Sequence, residues 1–119
     1  STPANVEPFI HRDQAYVTPG NEYVVHALAV FNGITHVQIV DDLRFPSWKP
    51  AWLFKISDNG VPEDWICNLF PEGDPQLIMG PPFLAKDQAA YSSMVELETE
   101  QVDRFWERLK ALDEAEKVP

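Results

Sequence analysis

The sequence predicts an α+β domain: a small twisted antiparallel sheet, or a partly closed barrel, of about five short strands with C-terminal helices packed against it. Three observations predict it. Stretches rich in β-branched and aromatic residues cluster between residues 21 and 80, turn signals punctuate them, and beyond Pro81-Pro82 the apolar period becomes that of a helix. The organisation expected is a single domain, with an irregular N-terminal arm over 1–20, an antiparallel β region over 21–80 and a helical region over 86–116.

The arm follows from Pro3, Pro8 and Pro19, which break regular structure. From Glu22 to Asp42 the chain reads as a β-hairpin. Tyr23–Phe31 and Ile34–Val40 flank Asn32-Gly33, a dipeptide that tolerates the positive φ of a two-residue type I′ turn. That turn pairs Leu28 with Val37, Val30 with Thr35 and His26 with Ile39 on one largely apolar face. The other face mixes Val25, Phe31, Ile34 and Val40 with Gln38 and His36, a pattern of partial exposure or of cover by another element. Short strands are expected at Ala51–Ser57, Trp65–Phe70 and Gln76–Met79, separated by Ser57-Asp58-Asn59-Gly60 and by Pro71-Glu72-Gly73-Asp74-Pro75. Prolines 46, 50, 62 and 71 keep these strands short and near sheet edges.

In the helical region Lys86 or Asp87 opens a segment running through Met94, and Thr99 caps a longer one. Val102, Phe105, Trp106, Leu109 and Leu112 recur at helical spacing, so this stripe should pack on the sheet. The opposite face carries Glu100 and Arg104 at the favourable i,i+4 spacing.

Composition narrows the function classes. Nineteen acids against nine bases give a formal charge of −10, which disfavours nucleic acid and anionic membranes as partners and favours a basic protein. Cys67 is the one cysteine, so the chain holds no internal disulfide and no thiolate zinc site, which fits a cytoplasmic location. No signal-peptide pattern opens the sequence, and no apolar run reaches the roughly 20 residues a membrane-spanning helix needs.

Signatures of chemistry are sparse. His26 and His36 fall on opposite faces in the expected register, so with His11 they make no metal site. Cys67 sits among Trp65, Ile66 and Leu69 in an expected strand and reads as a buried structural thiol. Asp41-Asp42 is the best acid/base candidate. Adjacent strand residues point to opposite faces, however, which favours turn capping over a shared site. There is no phosphate loop, G-x-S-x-G or H-E-x-x-H motif, so the expectation is a protein without catalytic residues, cofactor or metal.

The segment from Phe45 to Phe83 carries the positive signal. It holds Trp48, Trp52, Trp65 and seven of the eleven prolines, and between Lys55 and Lys86 it has five carboxylates and no base. Aromatic anchors within a one-signed rim are the makings of a protein interface. The residues expected to bind a partner are Trp48, Asp58, Glu63, Asp64, Trp65, Glu72 and Asp74. At least two of the three tryptophans are expected to be mainly structural, with Trp48 or Trp65, each beside a proline-containing turn, reaching the surface.

With Asp41-Asp42-Leu43, Pro46-Ser47-Trp48-Lys49-Pro50-Ala51-Trp52 and Pro62-Glu63-Asp64-Trp65-Ile66-Cys67-Asn68 in an acidic, cysteine-poor chain, the protein is similar in general type to the immunity proteins of bacterial toxin systems. The resemblance implies an inhibitor that occludes the active site of a basic toxin, such as a nuclease. It carries no site residue over. Two alternatives stand beside it: an assembly module using the same surface, and a small enzyme or small-molecule binder using Asp41 and Asp42.

Overall fold

In chain order the elements are β1 (Asn5–Pro8), β2 (Tyr23–Val24), β3 (Ala27–Phe31), β4 (Ile34–Val40), β5 (Pro46–Pro50), a 3-10 turn (Ala51–Leu53), β6 (Phe54–Asp58), β7 (Ile66–Leu69) and β8 (Leu77–Gly80). Helices α1 (Pro82–Ala85), α2 (Gln88–Val95) and α3 (Thr99–Lys117) follow. The structure, a computed structural model, describes residues 5–8, 16–58, 60–70, 73 and 75–117, with backbone only at 5–8, 57–58 and 113–117. Its centre is an open antiparallel sheet of five strands in the order β5-β4-β3-β8-β7, and a second sheet has the order β2-β1-β6.

The hairpin forms in the register the sequence predicts. Asn32 and Gly33 both take positive φ, 53° and 74°, and Leu28 pairs with Val37 and Val30 with Thr35. Its first strand does not run unbroken from Tyr23. Tyr23 and Val24 pair with β1 in the small sheet, and the main strand begins only at Ala27. This break changes which way the intervening residues face. Val25 joins the core cluster of Val37 and Ile39, while His26 packs edge-on against Phe105 of α3, with ring centroids 5.0 Å apart. His26 therefore lies on the helix side and not beside Ile39, as the uninterrupted register predicts.

Three further expectations change. Strand β5 was not expected, because prolines stand at both its ends. Both fit because β5 is an edge strand that pairs only with β4. The expected strand at Ala51–Ser57 starts with a 3-10 turn, and β6 then pairs with β1 in the small sheet. Part of the N-terminal arm, Asn5–Pro8, is thereby strand and not irregular chain.

The main sheet has two unlike faces. On one, cross-strand neighbours run Trp48, Gln38, Ala27, and His36, Ala29, Ile78, Asn68. Small residues sit side by side there: a Cβ added at Gly80 of β8 would stand 2.9 Å from that of Ala27 on the neighbouring β3. Leu84, Met94 and Phe105 cover Ala27, and Ala85 and Tyr91 cover Ala29 and Ile78. The mixed face of the hairpin is thus the one that helices cover, and Ala27, Ala29 and Gln38 are fully buried there. On the other face Val37 and Ile39 pack with Val17, Tyr23, Val25, Leu53 and Phe54, drawing the small sheet onto one end of the large one.

The helices start and stop for local reasons. Pro82 opens α1 at a position where no N–H is required, and the Asp87 carboxylate caps α2 by accepting the N–H of Ala90 at 2.8 Å. At the end of α2, Leu97 takes φ 55°, its N–H bonds the Met94 carbonyl, and that of Glu98 bonds Ser93. Those paired bonds form a Schellman cap with leucine where glycine is usual. Helix α3 buries Phe105 and half-buries Val102, Trp106 and Leu109, the stripe expected from the sequence except for Leu112, which is exposed, and Arg104 meets Glu100 at 2.7 Å. Thr99 is the first residue of α3 and not its cap.

Candidate functional site

The acidic rim expected between Lys55 and Lys86 lies partly within the described residues. Glu63 and Asp64 are exposed side by side in the turn before β7, while the side chain of Asp58, and Glu72 and Asp74 entirely, lie outside the described residues. Asp64 is not uncompensated. Arg108 of α3 donates both Nη groups to its carboxylate, Nη2 to Oδ1 at 2.9 Å and Nη1 to Oδ2. Those bonds hold the Asp64 carboxyl below the usual carboxylate range. The compensating base is absent from the segment but arrives from 44 residues away, which no local reading of charge detects.

The tryptophans sort differently from expectation. Trp65 packs at the edge of the core cluster around Val37 and Leu53, and Trp48 packs at a tilt against Tyr91 with centroids 5.2 Å apart. Trp52, in the 3-10 turn, is the exposed one at 62%. Two of the three are structural, as expected, but the surface residue is Trp52.

Beside the acidic turn the second face of the main sheet is incompletely covered. Two cross-strand rows run over it: Val37, Leu28, Met79, Cys67, and Thr35, Val30, Leu77, Leu69. Only Val37 among them is buried; Leu28, Val30, Leu77 and Met79 are half-buried, and Leu69 is 67% exposed. The rows end on β7, an edge strand. Cys67 is exposed there, contrary to the buried thiol expected from its neighbours, because nothing among the described residues covers the outer face of that edge.

Two clefts flank the hairpin. One, of about 670 Å³, is lined by Tyr23, His26, Asp41, Asp42, Arg44 and Trp106 among others. Asp41 and Asp42 both reach it, yet each carboxylate is already engaged. Asp41 accepts the N–H groups of Leu43 and Phe45 and the Ser47 hydroxyl, organising the turn into β5, whereas Asp42 accepts the hydroxyls of Thr18 and Tyr23. The two carboxylates, just past the end of β4, point to different partners. Burial, and then the nearby Arg108 charge, push His26 down to about 4, so its ring is neutral at physiological pH. Among the described residues no group of three His, Cys, Asp or Glu side chains is arranged to hold a metal, and His11 is outside them.

The second cleft, of about 380 Å³, opens between the hairpin tip and α2 and is lined by Phe31, His36, Trp48, Tyr91, Val95 and Glu96 with Ser92. Its aromatic walls come from three elements distant in sequence. Trp48 was expected at a binding surface; Phe31, Tyr91 and Glu96 were not, because only the packing of α2 on the sheet brings them together.

Comparison of the chain with protein-family models, with curated proteins and with solved structures finds no match. No helix among the described residues is long and apolar enough to cross a membrane.

Proposed function

We propose that this chain is an acidic protein-binding domain that engages a basic partner, as an immunity-type inhibitor of a toxin or other basic enzyme would. The observation that carries the reading is the apolar pair of rows on β3, β8 and β7, half-open and ending at an exposed edge strand beside Glu63 and Asp64. Contiguous apolar surface rimmed by charge is the usual form of a protein contact, and the charge of −10 steers a cationic partner toward it. The apolar rows supply burial; the acids supply rate and selectivity.

The test is capture from a lysate of the source organism at low and raised salt, with the wild-type chain and with Leu69→Asp as baits. A basic protein retained near one-to-one by wild type, weakened by salt and lost with Leu69→Asp, supports the reading. Equal capture by both baits removes the sheet face as the contact.

A second reading has its own support. The cleft beside Asp42, Tyr23 and Arg44 has the volume of a small-molecule site and offers both signs of charge. Under that reading, Arg44 and the Trp106 ring, 5.9 Å apart, are its recognition groups. A small-ligand screen whose hits are lost in Arg44→Ala would favour it over protein binding.

A further inference from the structure

The cleft between the hairpin tip and α2 has a composition that selects a ligand class. We infer that it receives a cationic side chain, lysine or arginine, from the partner protein; this rests on the reading that the partner is a basic protein.

Three features agree on the sign of the ligand. Phe31, Trp48 and Tyr91 present aromatic rings, whose faces are electron-rich and attract cations. Trp48 and Tyr91 stand 5.2 Å apart at a 53° tilt, and Phe31 stands edge-on to His36 at 6.2 Å, so the walls meet at angles and enclose a slot instead of stacking shut. Glu96, an exposed residue, lines the slot, and among the described residues no basic side chain pairs with it. Ser92, Val95 and Glu96 also form the C-terminal end of α2, where the helix dipole is negative.

Nothing in the lining opposes a cation. His36 donates Nδ1–H to the Ile34 carbonyl at 3.0 Å, so that nitrogen is turned to the backbone of its own strand. Lys49 precedes the Pro50 neighbour of His36, but its ammonium lies 6.0 Å from the Tyr16 ring and not in the slot. A neutral apolar ligand would fill the aromatic part and leave Glu96 without use; an anion would meet both the carboxylate and the helix end.

Free side chains are the appropriate first probe, since they need no identified partner. Nα-acetyl-lysine methylamide, its arginine counterpart and the neutral Nε-acetyl-lysine analogue are titrated into the full chain at about pH 8, where ordinary histidines are neutral, and followed by two-dimensional NMR. The expected result is saturable shifts of the Trp48 indole and of Phe31, Tyr91 and Glu96 with the two cations, and about three- to tenfold weaker binding in Glu96→Gln. Equal binding of the neutral analogue, unchanged affinity in Glu96→Gln, or saturable shifts centred elsewhere each overturn the inference. With a captured partner in hand, wild-type affinity in Glu96→Gln overturns the cleft and leaves the protein-binding reading standing. Cation binding in the cleft without a basic protein partner does the reverse.

Discussion

Asp64 and Arg108 join the turn before β7 to the middle of α3 by a two-pronged contact, the only described link of this kind between the acidic segment and the C-terminal helix. The pair is half-exposed, so its worth is that of a surface bridge with good geometry. Asp64→Asn should cost about 0.5–1 kcal/mol in chemical denaturation at neutral pH. The sign with pH follows from the lowered Asp64 carboxyl. Its contribution is complete above the ordinary value of 3.8 and is lost as pH falls through the lower folded value. The wild-type and Asp64→Asn stability curves should therefore converge once pH has fallen below that lower folded value; a constant gap would mean the charge is not what matters.

His26 sets a different acid limit. Its ring is held near 4 in the folded protein against an ordinary 6.5, so between those values only the unfolded chain takes up the proton. Stability should fall as pH drops from 6.5 to 4 and show no contribution from this group above 6.5. The full shift corresponds to about 3 kcal/mol at 1.36 kcal/mol per unit, and partial exposure of the ring trims that. Urea denaturation of His26→Gln should show a shallower loss over this window than wild type. A slope equal to wild type would place the acid sensitivity elsewhere.

Gln38 is fully buried under the helices, and neither its amide nitrogen nor its oxygen finds a hydrogen-bond partner among the described residues. An unpaired buried amide costs about 1–3 kcal/mol relative to an apolar group of similar shape. Gln38→Met should accordingly raise stability by about that amount, measured by urea midpoint at constant m-value. A drop in stability would show that the amide is satisfied in solution.

Leu97 carries the left-handed conformation that ends α2. Glycine adopts it without the Cβ penalty, though at a cost in chain entropy, so Leu97→Gly should gain roughly 0.5–1 kcal/mol. Leu97→Ala keeps the penalty and should gain nothing. Thermal unfolding of both variants separates relief of backbone strain from loss of the half-exposed side chain.

What the sequence made legible was set by local physics. Asn32-Gly33 dictates its own turn and hence the register on both sides, and the stripe of Val102, Phe105, Trp106 and Leu109 declares the face of α3 that packs. What escaped was decided by distant neighbours. The alternation from Tyr23 to Phe31 gives no hint that Tyr23 and Val24 pair with Asn5 and Val6 in another sheet, and that break is what moves His26 across. Cys67 was misjudged for a related reason: apolar sequence neighbours imply burial only if both faces of a strand are covered, and β7 is an edge. The aromatic cleft was half visible. Trp48 stood out by composition, whereas Phe31 and Tyr91 join it only through the packing of α2.

The two faces of β3 and β8 obey different rules of substitution. On the helix-covered face, Gly80 of β8 has room for no side chain without displacing Ala27 on the neighbouring strand β3. On the far side Leu69 is exposed and Val30 and Leu77 are only half-buried among the described residues, so substitutions there meet fewer neighbours. Side-chain size is thus fixed on the helix-bearing face and freer on the outer one, so the architecture and the outer surface can vary independently in sequence.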